Sequence, residues 1–180
     1  MSELDVMQWV HSLSTPALDA VMLGATYLAT FASVWFLIAA VQFLFVKGGR
    51  RKATALILTI VVSYVICDLV LKPTVARDRP CGYADFELLV AIPQSYSFPS
   101  GHTMSSFAAA TVLFADDRRL GTAAYALAGL VGFSRVYLFV HWPTDVIAGA
   151  ILGIAVGYLM VRLFRKLAFT GGGTMENPYP

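Results

Sequence analysis

AVMLGATYLATFASVWFLIAAVQFLFV, residues Ala20 to Val46, carries no charged side chain and is followed at once by Lys47-Gly48-Gly49-Arg50-Arg51-Lys52. A helix rises about 1.5 Å per residue, so roughly 20 residues cross the ~30 Å of bilayer hydrocarbon. This run is long enough to span with some tilt, and the basic turn marks where it leaves the membrane. Working outward, Ala53 to Leu71, rich in Ile, Val and Leu, predicts a second span that Pro73 stops. A third begins with Ser97 or Ser100 as cap and Pro99 near its first turn, and runs to Ala115, before Asp116-Asp117-Arg118-Arg119, which read as a solvated turn. The fourth extends from Leu120 to about Phe133 or Phe139. Pro143 and Thr144 open the fifth, which closes on Arg162, Arg165 and Lys166. Upstream, Val6, Trp9, Val10 and Leu13 share one helical face while Asp5, Gln8 and His11 lie elsewhere. That predicts a short N-terminal helix lying in the interface, with His11 at its surface. The expected fold is an all-α polytopic membrane helix bundle with five spanning helices, six at the upper bound. It forms one domain over residues 1–169, followed by a flexible tail over 170–180 that contains three consecutive glycines and two prolines.

Composition agrees. The chain is 58% hydrophobic and only 13% charged, where a soluble domain carries about a quarter charged residues, so an ordinary soluble class is excluded. A net charge of +2 is too small to argue for a nucleic-acid partner. Cys67 and Cys81 have neither a disulfide framework nor metal-ligand spacing and read as free thiols. Glu3 and Asp5 stand where a signal peptide would be basic, which argues against a removable leader. Of the basic residues, Lys47, Arg50, Arg51, Lys52, Arg118, Arg119, Arg162, Arg165 and Lys166 fall on one side of the expected bundle, and Lys72, Arg77, Arg79 and Arg135 on the other. The positive-inside rule puts the first group and the C-terminus in the cytoplasm.

The remaining cations belong to a spaced pattern: Lys72, six residues, Arg79-Pro80; then Pro99-Ser100-Gly101-His102; then Ser134-Arg135, five residues, His141, three residues, Asp145. All lie at outward ends of apolar runs, so four helix ends converge at one depth. Lys72, Arg79 and Arg135 supply charge, the arginines with a fork matched to phosphate. Ser100, Gly101 and the amides of a helix start add donors where the macrodipole favours an anion. His141 and Asp145, four apart, share a helix face, so the carboxylate can accept a hydrogen bond from one ring nitrogen. The loop from Pro73 to Phe98 is long enough to be functional. An anion site at membrane depth points to a phosphorylated lipid as partner.

On these three motifs the sequence resembles the type-2 phosphatidic acid phosphatase superfamily, which includes lipid phosphate phosphatases and vanadium-dependent haloperoxidases. The resemblance implies a bacterial-type plasma-membrane enzyme that removes a terminal phosphate from a lipid phosphate or diphosphate on the outer face. It assigns His141 as nucleophile forming a phosphohistidine, Asp145 as its partner and His102 as acid and then base. Lys72, Arg79, Ser100, Gly101 and Arg135 bind the phosphate, and neither metal nor other cofactor is expected. Undecaprenyl diphosphate is favoured as substrate by the compact chain, with phosphatidylglycerophosphate or phosphatidic acid as alternatives. Phosphotransfer to another lipid is a second enzymatic reading. A non-catalytic scaffold or flippase is a third, opposed by the intact set of reactive residues, and haloperoxidase chemistry is opposed by a site that admits lipids. Two further features stand beside the motifs. Asp68, one turn before Lys72, either steers that ammonium or is an acid satisfied at the interface. Gly149, Gly153 and Gly157 form a small-residue ridge, with packing inside the bundle favoured. The oligomeric state is left open.

Overall fold

The computed structural model describes residues 1–170, with side chains through Leu167; the tail expected to be flexible lies outside the described residues except for Thr170. Those residues form helices joined by turns and one long loop, with no strand among them. Helix α1 (Glu3–His11) starts at a capping box in which Ser2 Oγ accepts from the Asp5 amide at 3.2 Å and Asp5 Oδ2 from the Ser2 amide at 2.6 Å. Its apolar face enters the protein: Met7 and Val10 are buried against residues 136–140. His11, expected at the surface, is half-buried and stacks on Phe86 with ring centroids 3.6 Å apart.

The uncharged run that defined the fold is not one straight helix. It forms α2 (Pro16–Leu28) and α3 (Ser33–Phe45), bent by 55° at the turn Thr30–Ala32. Phe31 and Ala32 both take left-handed backbone, φ 51° and 56°, a conformation costing about 1–2 kcal/mol per residue. Hydroxyls satisfy carbonyls around the break, Thr30 Oγ1 donating to Thr26 O at 3.0 Å and Ser33 Oγ to Leu28 O at 2.9 Å. Hydropathy misses this break because both halves are apolar and no proline marks it.

Helix α4 (Gly49–Tyr64) continues through a π-helical stretch, Val65–Leu71, into the short α5 (Lys72–Val75). Pro73 has no amide and its ring crowds the carbonyl four residues back; the wider turns ahead of it accommodate both while extending the helix to Lys72. After a short 3-10 turn at Pro80–Tyr83, three α-helices follow among the described residues: α6 (Gly101–Asp116), α7 (Arg118–Tyr137) and α8 (Pro143–Thr170). Asp117 caps α7, its Oδ1 accepting from the Arg119 and Leu120 amides at 2.7 and 2.9 Å.

Helix α6 is central and packs on α4, α7 and α8. In lipid, no hydrophobic driving force pulls helices together, so close backbone approach through small residues must. The glycine ridge provides it. A Cβ at Gly149 would sit 2.8 Å from Ser100 O, one at Gly157 2.6 Å from Thr111 Cβ, and one at Gly153 would overlap Met104 O. The ridge therefore packs within the chain, α8 against α6. Ala108, Ala109 and Ala110 are fully buried on α6, and Trp35 of α3 donates to Ser106 Oγ at 3.0 Å. Of the residues expected as a solvated turn, Asp117, Arg118 and Arg119 are exposed, but Asp116 is not: it pairs with Lys52 at 2.5 Å, its side chain only 7% exposed, tying the α6–α7 turn to the start of α4.

Leu37, Leu44, Leu69, Ile151 and Leu159 are apolar and exposed on the helices, as lipid-facing residues are in an integral membrane protein. Gly49–Val75 and Pro143–Leu167 are long and apolar enough to cross, and the bent α2–α3 pair makes a third if it counts as one span. The 16 residues of α6 rise only about 24 Å, and α7 contains Arg118, Arg119 and Arg135. Length and composition by themselves thus mark two or three of the five expected spans among the described residues.

Candidate active site

Three chain reversals build the site. The first lies at the top of the α4–α5 helix. Lys72 is 7% exposed, and its Nζ lies 2.5 Å from Asp68 Oδ1 and 3.4 Å from Ser95 Oγ. Asp68 thus pairs with the ammonium, one of the two roles open to it. The second is the start of α6. A Cβ on Gly101 would meet Asp68 Oδ2 at 3.3 Å, Cys67 Sγ at 3.4 Å and Lys72 Nζ at 3.8 Å, so glycine here lets the helix start close on that pair. Ser100 is fully buried: its hydroxyl accepts from Thr103 Oγ1 at 2.9 Å and its amide donates to Asp145 O at 3.1 Å. Its backbone thus ties the start of α6 to α8, while its side chain stays within the first turn of α6.

The third reversal joins α7 to α8. Phe139 takes φ 60°, and the amides of Val140 and His141 both donate to Arg135 O at 3.2 Å, folding His141 back beside Arg135. Arg135 is 6% exposed; its guanidinium donates to Thr26 Oγ1 on α2, and its Nε has no protein partner. Asp145, in the first turn of α8, is fully buried. Its Oδ2 lies 3.5 Å from His141 Nδ1 and accepts from Ser97 Oγ at 2.5 Å and the Trp142 amide at 2.9 Å. Its Oδ1 accepts from Arg77 at 2.6 Å.

Arg79 reaches in from the Pro73–Phe98 loop. Its Nε donates to Ser95 O at 2.6 Å, one terminal nitrogen to Val140 O at 2.7 Å and the other to Tyr96 O at 3.1 Å, so it holds the loop onto the α7–α8 corner. The nitrogen that binds Val140 also lies 3.2 Å from His141 Nε2. Since arginine can only donate, Nε2 accepts and the ring proton sits on Nδ1, facing Asp145. Burial first, then the Arg79 and Arg135 cations, push the His141 pKa well below the ordinary histidine range against the pull of Asp145, which favours the neutral ring. Burial likewise lowers the Arg79 pKa from its usual value.

Lys72, Arg79, Gly101, His102, Arg135 and His141 line one cavity of about 460 Å³. Its other wall is apolar, made by Ala29, Phe31, Ala32 and Phe36 at the α2–α3 break and by Ile60, Val61 and Tyr64 of α4. His102 Nε2 is buried without a protein hydrogen-bond partner. Six of the eight residues singled out from the sequence thus share the cavity, with Ser100 and Asp145 behind it. Sequence reading missed Ser97 and Arg77, both bound to Asp145, and Ser95, bound to Lys72 and Arg79. The spacing of Arg77, two residues before Arg79, was visible, but its target was not. Among the described residues, no group of three His, Cys, Asp or Glu side chains is arranged to hold a metal ion.

Known proteins resemble this chain in sequence and in fold. The chain is 36% identical to the undecaprenyl-diphosphatase of Sulfolobus acidocaldarius over 132 residues, 72% of this chain and 63% of that relative's length. It is 29% identical to the lipid A 4'-phosphatase of Porphyromonas gingivalis over 98% of this chain and 79% of the relative. The crystal structure of a transmembrane PAP2-type phosphatidylglycerolphosphate phosphatase from Bacillus subtilis superposes with a TM-score of 0.76 at 28% identity, covering 92% of this chain and 85% of that one. The family model described as the PAP2 superfamily matches residues 52–169, which include every motif residue of the cavity. The chain belongs to the PAP2 superfamily.

Proposed function

We propose that this chain, as a single membrane domain, hydrolyses a terminal phosphate from a membrane lipid phosphate or diphosphate through a phosphohistidine on His141. The observation that carries this reading is the two-ended cavity: two histidines and three cations at one end, and at the other an apolar wall that includes the exposed Phe31 and Tyr64. His141 Nε2 attacks phosphorus as the bond to the leaving oxygen breaks, and His102 gives that oxygen a proton. Water then attacks the phosphorus, His102 takes its proton, and phosphate departs from His141. Charge developing on the phosphoryl oxygens is met by Lys72, Arg79 and Arg135, with the amides at the start of α6. Arg79, now beside His141 Nε2, moves onto those oxygens when substrate arrives. Asp145 holds the Nδ1 proton and stabilises the imidazolium side of the step.

Undecaprenyl diphosphate is the substrate we favour. The relative so named supports it, and the wall from Phe31 to Tyr64 suits a prenyl chain; phosphatidylglycerophosphate and lipid A are the rivals that the other relatives' names raise. The distribution of basic residues supports an outward-facing site in a plasma membrane crossed five times, the short α6 and charged α7 being sheltered by their neighbours. The test is phosphate release by the purified protein in detergent from undecaprenyl diphosphate, phosphatidylglycerophosphate, phosphatidic acid and lipid A. Release fastest from the diphosphate is expected; no release from any of them by folded protein would overturn the reading.

A further inference from the structure

Asp145 needs more support than a histidine gives it. The carboxylate is fully buried, and a buried charge without a partner is costly. Its ion-pairing cation is Arg77, which is not part of the motif spacing and does not line the catalytic cavity. One terminal nitrogen of Arg77 donates to Asp145 Oδ1 at 2.6 Å and to Thr144 Oγ1 at 2.7 Å; the other donates to Glu3 Oε2 at 2.5 Å. The guanidinium also lies over the Trp142 ring, 5.3 Å from its centroid.

Glu3 belongs to α1, far away in sequence, and it completes the start of α8. At that start Asp145 Oδ2 accepts from the Trp142 amide, which is half of a capping box. Trp142 has no side-chain oxygen to supply the other half. Glu3 Oε1 takes that place, accepting from the Thr144 amide at 2.9 Å and from Thr144 Oγ1 at 2.7 Å. The Thr144 hydroxyl thus donates to Glu3 and accepts from Arg77, closing the circuit. Burial tends to raise the Glu3 pKa, but the hydrogen bonds from Thr144 and Arg77 outweigh it and hold the carboxyl below its ordinary value.

We propose that Glu3 and Arg77 form an ionic lock that positions Asp145, so that α1 sets the orientation of His141 from outside the catalytic cavity. The proposal rests on the reading of His141 as nucleophile. Both are positioning residues: neither lines the cavity, and each acts through Asp145. Substrate binding should therefore be spared while phosphoryl transfer slows.

The test is single-turnover phosphoenzyme formation and KM for Arg77→Gln, Arg77→Lys and Glu3→Gln, each also made in an Asp145→Asn background. Arg77→Gln should slow the step about 30-fold with KM changed less than about twofold. Arg77→Lys should recover to within about fivefold of the parent, since an ammonium keeps the charge but loses the fork. Glu3→Gln should cost about fivefold, and in the Asp145→Asn background each loss should shrink below about twofold. Equal losses in both backgrounds, or losses confined to KM, would overturn the lock; should Arg77→Gln not fold, Glu3→Gln and Arg77→Lys separate the same outcomes. A slow Asp145→Asn enzyme with Arg77→Gln unimpaired would sink the lock alone. An Asp145→Asn enzyme as fast as the parent would remove the nucleophile reading and the lock with it.

Discussion

Gly153→Ala should damage a site it does not touch. The added Cβ would overlap Met104 O and stand 3.0 Å from Phe107 Cβ and 3.1 Å from the Ala108 amide. Two of these three neighbours are backbone atoms of α6, which cannot rotate away, so α8 must move off α6, by about 1 Å to restore ordinary contact. His102 rides on α6 and Asp145 on α8, so the same displacement opens the catalytic end. Overpacking of this kind costs about 1–3 kcal/mol, and a 1 Å misplacement of reacting groups can cost about 100-fold in rate. At about 2 kcal/mol the thermal midpoint should fall by about 4–8 °C. Gly129→Ala on α7 is the matched control, because its Cβ would meet nothing within 4 Å, and helix propensity alone favours alanine by about 1 kcal/mol. The assay is phosphate release beside thermal unfolding in one detergent. A Gly153→Ala protein matching Gly129→Ala in both would refute the idea that this helix contact sets the site.

Asp145→Asn should leave a folded protein slowed about 1000-fold or more, since an amide cannot fix the Nδ1 proton or stabilise an imidazolium; an unchanged rate would confine Asp145 to packing. Because burial holds the His141 pKa below the ordinary value of 6.5, the ring should remain neutral as pH falls from about 8 to about 5.5. Nitrogen-15 spectra, with His141→Gln to assign the signal, would show titration near 6.5 if this were wrong. The depressed pKa of Glu3 means that the stability it lends through the α1 contact is fully present above the ordinary glutamate range and fades as pH falls below it. Protease sensitivity of α1 that rises only under acid is the expected pattern, and loss near neutrality would contradict it. Half-exposed Cys81 should react with an impermeant thiol reagent on intact cells, while Lys47→Cys in a Cys81→Ser background should not; the reverse would invert the protein.

Much of this was legible in the sequence because membrane helices and anion sites leave local signals. The three motifs name residues at helix ends, and helix ends converge, so six of the eight chosen residues line one cavity. The spacing of Gly149, Gly153 and Gly157 marked a close-packing ridge, and the structure supplies its partner, α6. Other features were not local. The break at Phe31 and Ala32 carries no proline, and it forms where α3 must reach Ser106 and α2 must reach Arg135. Arg77, Ser97 and Glu3 find their partners across 48 or more residues, and nothing in their neighbourhoods specifies those partners. Asp116 read as solvated because a run of four charges looks like a surface turn; only the fold brings Lys52 to it.

The central claim is a covalent bond between His141 and phosphorus. Rapid acid-free quenching of the protein with undecaprenyl diphosphate labelled in its terminal phosphate tests it directly, with His102→Ala used to slow hydrolysis of the intermediate. The expected result is one label per active site, stable to base and lost in acid, on the peptide containing His141, and none in His141→Ala. Phosphate released at the parent rate by His141→Ala, or a burst of free phosphate from the parent with no labelled protein, would contradict it.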